Sequence, residues 1–264
     1  MCTLALYFKV FPQYPLIVAA NRDESLARPS LSPTQLWDSP WVYGGQDLLA
    51  GGTWLGINEN GVLAGVLNRH TQQPPDSRRR SRGLLCLDAL KYHSAAEALR
   101  SIITFPATAY NPFNLLLADH SDAYVIHPLN SSLQVHRLSP GVHLLTNINL
   151  NDPECPRIAR SFQRFLQVSQ NFSSRSFMLP DLVTQLHPIL AAHDIRLDPR
   201  SQDPRNGLCV HLPGYGTCSS TLLAYSSSER RYTYFFAPGP PCRSAYSEVL
   251  ISPETRANLP PSTQ

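Results

Sequence analysis

The chain has 264 residues, of which 42% are hydrophobic and 16% charged. That composition supports a sizeable core and excludes general disorder. The net charge of +3 is mild and sits largely in Arg78-Arg79-Arg80-Ser81-Arg82, so it does not mark a nucleic-acid-binding protein.

The six cysteines, Cys2, Cys86, Cys155, Cys209, Cys218 and Cys242, form no C-x-x-C pair. They do not read as a disulfide scaffold, and a reduced compartment is expected. No metal ligands are assigned. The N-terminal apolar run is broken by Lys9, Pro12, Gln13 and Pro15, so no signal peptide is expected. No segment approaches the ~20 apolar residues of a membrane span. A soluble, cytoplasmic protein is the expectation, with the oligomeric state left open.

Residues 3–10 and 16–20 read as two strands around Pro12 and Pro15. Residues 25–46 are rich in Pro and Ser and hold Trp37, Trp41 and Tyr43, which predicts a loop with aromatic anchors. Residues 51–68 predict a hairpin turning at Asn60-Gly61, with glycines that permit close backbone approach. Residues 71–82 read as an exposed polar loop. Its alternative is a basic mouth for an anionic substrate.

Leu84, Leu87, Leu90, Ala95, Ala98, Leu99 and Ile102 predict one helix over 84–103. Strands follow at 111–118, 123–128, 133–138 and 142–146. The histidines of this region, His120, His127, His136 and His143, scatter over different strands. Two helices are expected at 155–170 and 176–193, then a polar loop over 194–207. Strands at 209–212, 219–225 and 231–237 close the order, and the Pro-rich tail from about 238 reads as loosely packed. One domain over 1–264 is expected. With no βαβ alternation, the order favours an α+β layered fold with antiparallel sheets.

Cys2 carries the chemistry of greatest interest. Removal of Met1 would leave a thiol and a free α-amine on one residue. An unperturbed α-amine titrates at about 7.7–8.0 and can act as base for its own thiol. The opposing reading is a small apolar residue starting a buried strand.

Met1-Cys2-Thr3, Asn21-Arg22-Asp23-Glu24, Gly52-Thr53-Trp54-Leu55-Gly56 and Asn111-Pro112-Phe113-Asn114 together resemble the NRDE family of transport and Golgi organization protein 2-like proteins. The resemblance covers nearly the whole chain. More distantly, Met-Cys-Thr, Asn21-x-Asp23, Gly56-Ile57-Asn58-Glu59-Asn60-Gly61, Asn68 and Thr146-Asn147 are similar to N-terminal nucleophile hydrolases of the choloylglycine hydrolase and penicillin V acylase type. The fold this implies is a four-layer αββα sandwich.

The resemblance also implies roles. Cys2 is the nucleophile, and Asp23 orients its amine or thiol. The Asn68 main-chain N–H and the Asn147 side chain stabilise the oxyanion. Arg22, Asn21 and Trp54 contact a small-molecule amide substrate, and hydrolysis needs no cofactor. Two arginines of the relatives are replaced, by Ala20 and Cys218. The alternative implied by the NRDE family is a non-catalytic protein for haem trafficking or for lipid and acyl-CoA handling, with Cys155-Pro156 as a haem-ligand candidate.

Overall fold

The computed structural model describes residues 2–72, 74–172, 177–193 and 203–251. Two antiparallel sheets carry the fold. The first contains β1 (Thr3–Phe8), β2 (Leu16–Ser25), β10 (Gly141–Leu145), β11 (His211–Leu212), β12 (Tyr215–Ser226), β13 (Arg231–Ala237) and β14 (Ser247–Val249). Its order is β10-β1-β2-β12-β13-β14, with β11 paired to β12. The second sheet runs in chain order: β3 (Ser30–Asp38), β4 (Trp41–Asp47), β5 (Leu55–Asn58), β6 (Leu63–Asn68), β7 (Phe113–Ala118), β8 (Ala123–Leu129) and β9 (Ser132–Arg137).

Strand alternation assigns each residue to a layer. On β1, Leu4, Leu6 and Phe8 meet Leu55, Ile57, Leu63 and Leu116 of the other sheet in the central core. The intervening Ala5 and Tyr7 pack outward against α3 (Pro156–Phe172) and α4 (Leu179–Leu190). On the far side, Val42, Val62 and Ala64 pack under α1 (Arg82–Ala89) and α2 (Ala95–Ile102). The result is the αββα order, helices outside two stacked sheets. Because both faces of the inner strands are covered, β1 and most of β2 read as continuous buried runs.

Three local expectations are corrected. The 25–46 stretch is not a loop, since it forms β3 and β4. Register shifts between Leu31 and Thr34 and between Gln35 and Trp37 break the period-2 pattern that would have revealed β3. The 84–103 helix is two helices. Ser81 caps the first by accepting from the Gly83 N–H, and Ser94 caps the second by accepting from the Glu97 N–H. Residues 74–82 are pinned rather than free. Asn111 both donates to and accepts from the Asp76 backbone at 2.8 Å, and Arg79 donates to the Tyr110 carbonyl.

Beyond Pro238 the chain adds β14 to the sheet edge, and Tyr246 hydrogen-bonds the Ser220 hydroxyl. Met1, the first residue of the expected helix at 176, most of the 194–207 loop with Pro199, and residues 252–264 lie outside the described residues. Among the described residues no helix is long and apolar enough to cross a membrane.

Candidate functional site

The registers of three strands assemble the site. Thr3 pairs with Asn21 across β1 and β2, which brings Cys2 alongside Arg22 and Asp23. Asp23 in turn pairs with Thr217 across β2 and β12. The β2–β12 register then shifts between Thr217 and Ser219, leaving Cys218 at the bulge. Bulges re-aim side chains next to functional sites.

Cys2 is half-buried, and its Sγ donates to the Asp23 main-chain carbonyl at 3.6 Å. Burial raises the thiol above its ordinary range, and Asp23 adds to the rise.

The Asp23 carboxylate does not bond the thiol. It accepts from Arg157 Nη1 at 2.8 Å and from the Thr217 hydroxyl at 2.7 Å. Arg157 also donates to Thr3 Oγ1 at 2.9 Å and to the Arg205 carbonyl at 2.7 Å. Burial raises the Asp23 pKa, and the Arg157 charge opposes that rise. The Asp23–Arg157 pair has side-chain exposures of 0% and 1%, so neither charge has water to replace its partner.

Asn147 and Asn68 come together: the Asn147 amide donates to the Asn68 main-chain carbonyl. Asn147 Oδ1 is buried with no hydrogen-bond partner among the described residues. Asn114 explains the second half of Asn-Pro-Phe-Asn. From β7 it donates to the Thr146 and Ile148 carbonyls at 2.8 and 2.6 Å, gripping the segment that carries Asn147 on both sides.

Cys2, Arg22, Trp54 and Asn68 line one cleft of about 520 Å³. The Arg22 guanidinium lies 4.3 Å from the Trp54 ring centroid. The rim is made by the 74–83 segment, including Arg79, Arg80 and Arg82. Arg28 and Arg80 are held by Asp47 and Asp88. Arg22, Arg79 and Arg82 have no carboxylate at salt-bridge distance among the described residues. Arg82 is pulled below its ordinary range by burial, against which the Glu24 carboxylate and, more weakly, Cys2 act. Positive charge near the thiol thus comes from Arg22 and Arg82, where Ala20 and Cys218 supply none.

Gly52 sets the approach of that rim. A Cβ there would fall 2.2 Å from the Gly83 carbonyl carbon, and the Thr53 N–H donates to the Gly83 carbonyl at 3.1 Å. The first glycine of Gly-Thr-Trp-Leu-Gly therefore serves backbone packing against α1.

Asn21 ties neighbouring segments together. Its amide donates to the Leu190 and Leu208 carbonyls, both at 2.8 Å, and its Oδ1 accepts from Ser220 Oγ. Both amide hydrogens are thus spent anchoring α4 and the 208 segment, which gives Asn21 a supporting role beside Cys2.

Comparison with known proteins decides the family. A profile described as Transport and Golgi organisation 2 matches residues 1–235. The chain belongs to the Transport and Golgi organisation 2 family. The human Transport and Golgi organization protein 2 homolog is 30% identical over 250 residues, covering 84% of this chain and 88% of that protein. The mouse homolog is 29% identical with the same coverage.

Among solved structures, penicillin V acylase from Agrobacterium tumefaciens aligns with a TM-score of 0.56 at 15% identity, covering 90% of this chain and 83% of that one. The Caenorhabditis elegans ortholog of N-acylethanolamine-hydrolyzing acid amidase aligns at 0.54 and 14% identity, covering 84% and 92%. At these identities the likeness establishes the fold, an N-terminal nucleophile hydrolase-like sandwich. This family member therefore carries Cys2, Asp23, Asn68 and Asn147 on that fold.

Sequence reasoning missed Arg157. Its signal was present: a charge on the stripe of α3 shared with Ile158, Ser161, Phe165 and Val168. A charge on a buried stripe requires a buried partner.

Proposed function

We propose that this family member is an amidohydrolase that cleaves a small-molecule C–N amide bond through Cys2, after Met1 has been removed. The observation that carries the reading is the joint placement of Cys2 and Asn68 on one cleft, with Asn147 attached to Asn68 and the Asp23–Arg157–Thr217 cluster behind the thiol.

The chemistry follows from those groups. Cys2 Sγ attacks the substrate carbonyl while its own α-amine takes the thiol proton. The oxyanion is met by the Asn147 Nδ2 and the Asn68 main-chain N–H, donors of a kind commonly worth about 3–4 kcal/mol each. The amine returns the proton to the leaving nitrogen, the C–N bond breaks, and a thioester remains. Water then attacks the thioester with the amine again as base, giving the carboxylic acid and the free thiol.

Asp23 acts by position. Its side chain is committed to Arg157 and Thr217, and its main-chain carbonyl faces Cys2. Arg22, Arg79 and Arg82 favour a substrate that bears an anionic group.

Those same arginines support a second reading, a non-catalytic carrier of haem or of a phosphate-bearing lipid such as acyl-CoA. Cys155 is a poor haem ligand in this setting. It is 5% exposed, packs in the core under α3, and lies 3.5 Å from Thr146 Oγ1.

The two readings separate on Cys2→Ala. A panel of N-acyl amides with terminal carboxylates or phosphates is tested for release of free amine. The hydrolase reading expects turnover by wild type and none by Cys2→Ala, with ligand affinity retained. Binding without turnover in either protein favours the carrier.

A further inference from the structure

On the edge of the first sheet, remote in sequence from Cys2, the fold gathers His193, Cys209, His211 and Cys242. One donor atom from each lies within 4.8 Å of all the others. We propose that these four side chains form a structural zinc site. Nothing in the hydrolase or carrier reading requires it.

The donor set is the first argument. Two thiols and two imidazoles are the Cys₂His₂ complement that selects tetrahedral Zn²⁺, with Zn–S near 2.3 Å and Zn–N near 2.0–2.1 Å. Such a tetrahedron has edges of roughly 3.3–3.8 Å. The measured edges fall close to that: Cys209 Sγ to Cys242 Sγ is 3.5 Å, Cys209 Sγ to His211 Nε2 is 3.7 Å, and His211 Nε2 to Cys242 Sγ is 3.1 Å. The His193 donor lies within 4.8 Å of the other three, so a small side-chain adjustment about a central ion completes the site.

The second argument is preorganisation. His193 Nδ1 donates to the Cys209 carbonyl at 2.9 Å, which leaves Nε2 as the lone-pair nitrogen. A hydrogen bond of this kind is the outer-shell support usual for a ligating histidine. The Cys209 N–H donates to the Ala192 carbonyl at 3.0 Å, which ties the Cys209 segment to the chain just before His193. His187 Nε2 donates to the Pro241 carbonyl at 2.7 Å, which holds the turn bearing Cys242 against α4. Three chain segments distant in sequence are thus held in place by contacts other than the four donors.

Binding converts both thiols to thiolates, and their two protons pass to solvent. Four protein donors fill the tetrahedron and leave no position for a reacting water, so the site is structural. The zinc would staple the 238–243 turn and the end of α4 to residues 209–211. Those residues flank Val210, whose N–H donates to Thr217 Oγ1 at 2.9 Å, the same hydroxyl that donates to Asp23.

The full chain is reduced, stripped with chelator and titrated anaerobically with Co²⁺, then with Zn²⁺. About one equivalent of Co²⁺ is expected to give tetrahedral d–d bands and a thiolate-to-cobalt charge-transfer band, both erased by Zn²⁺. The Cys242→Ala/His211→Ala variant changes two exposed side chains, and far-UV circular dichroism verifies that it folds. It should lose the spectrum and weaken zinc binding by more than the roughly 100-fold that an outer-shell change costs. Cys2→Ala should keep the full spectrum. The proposal is overturned if wild type shows no thiolate–cobalt spectrum, if the double variant retains it, or if Cys209 and Cys242 are recovered as a disulfide from freshly isolated protein.

Discussion

Arg157 on α3 and Asp23 on β2 meet at 2.8 Å, both side chains sealed from solvent. The contact joins the outer helical layer to the strand that returns beside Cys2. Removing one member of a buried pair strands the other charge, at a cost of about 3–5 kcal/mol. Arg157→Leu is expected to lower unfolding stability by that amount in a urea titration. The Arg157→Leu/Asp23→Leu pair should lose less than the sum of the single changes, because no charge is left unpartnered. Strict additivity would mean that the two residues are not coupled.

Asn114 spaces the loop that carries Asn147. Asn114→Ala removes the donor to the buried Thr146 carbonyl and to Ile148. A cost of about 1–3 kcal/mol is expected for acceptors left unmet. If Asn147 serves the oxyanion, kcat should fall more than KM rises. An unchanged kcat in a folded variant would remove Asn114 from the positioning of the site.

Much of the frame was legible in the chain. The apolar run of β1, the Asn60-Gly61 turn and the strand meander over 111–146 were each carried by local pattern, and local pattern is what sequence displays. Arg157 was not read, because its partners Asp23 and Thr3 lie 134 and 154 residues away. Strand β3 was hidden by its bulges, and the α1–α2 break by apolar residues that continue the helical spacing across Ser94. The His193–Cys209–His211–Cys242 cluster has no spacing signature, since β11, the end of α4 and the 238–243 turn meet only in the folded sheet. Asn21 sat in the expected motif, yet its amide turned toward Leu190 and Leu208.

Gly52 tests the rim of the cleft. A methyl group there would sit 2.2–2.5 Å from Gly83 and Leu84 backbone atoms, and these cannot turn aside as a side chain can. Gly52→Ala is expected to destabilise by at least the ~1–3 kcal/mol typical of overpacking. It should also displace Arg82 and alter Trp54 fluorescence. Wild-type stability and an unchanged emission spectrum would show that the rim accommodates the methyl group.

His127 gives the fold an acid sensitivity. Burial, with Arg69 and His136, pushes its imidazole down to about 4. The unfolded chain therefore binds this proton at higher pH than the folded one. The stability tied to the neutral imidazole is complete above the ordinary histidine range near 6.5 and declines as pH falls toward 4. The side chain is partly exposed, so solvent screening reduces the effect. His127→Gln is expected to flatten the fall in Tm between pH 7 and pH 4, about the interval bounded by these values. A wild-type slope in the variant would place the acid sensitivity elsewhere.

Cys2 chemistry is tested most directly by intact-mass measurement of protein from its native host, before and after exposure to an activated acyl donor. The expected result is a chain lacking Met1 that gains one acyl group, mapped by peptide analysis to Cys2 and absent from Cys2→Ala. Full retention of Met1, or a Met1-free chain that acquires no acyl group on Cys2, would contradict the nucleophile assignment.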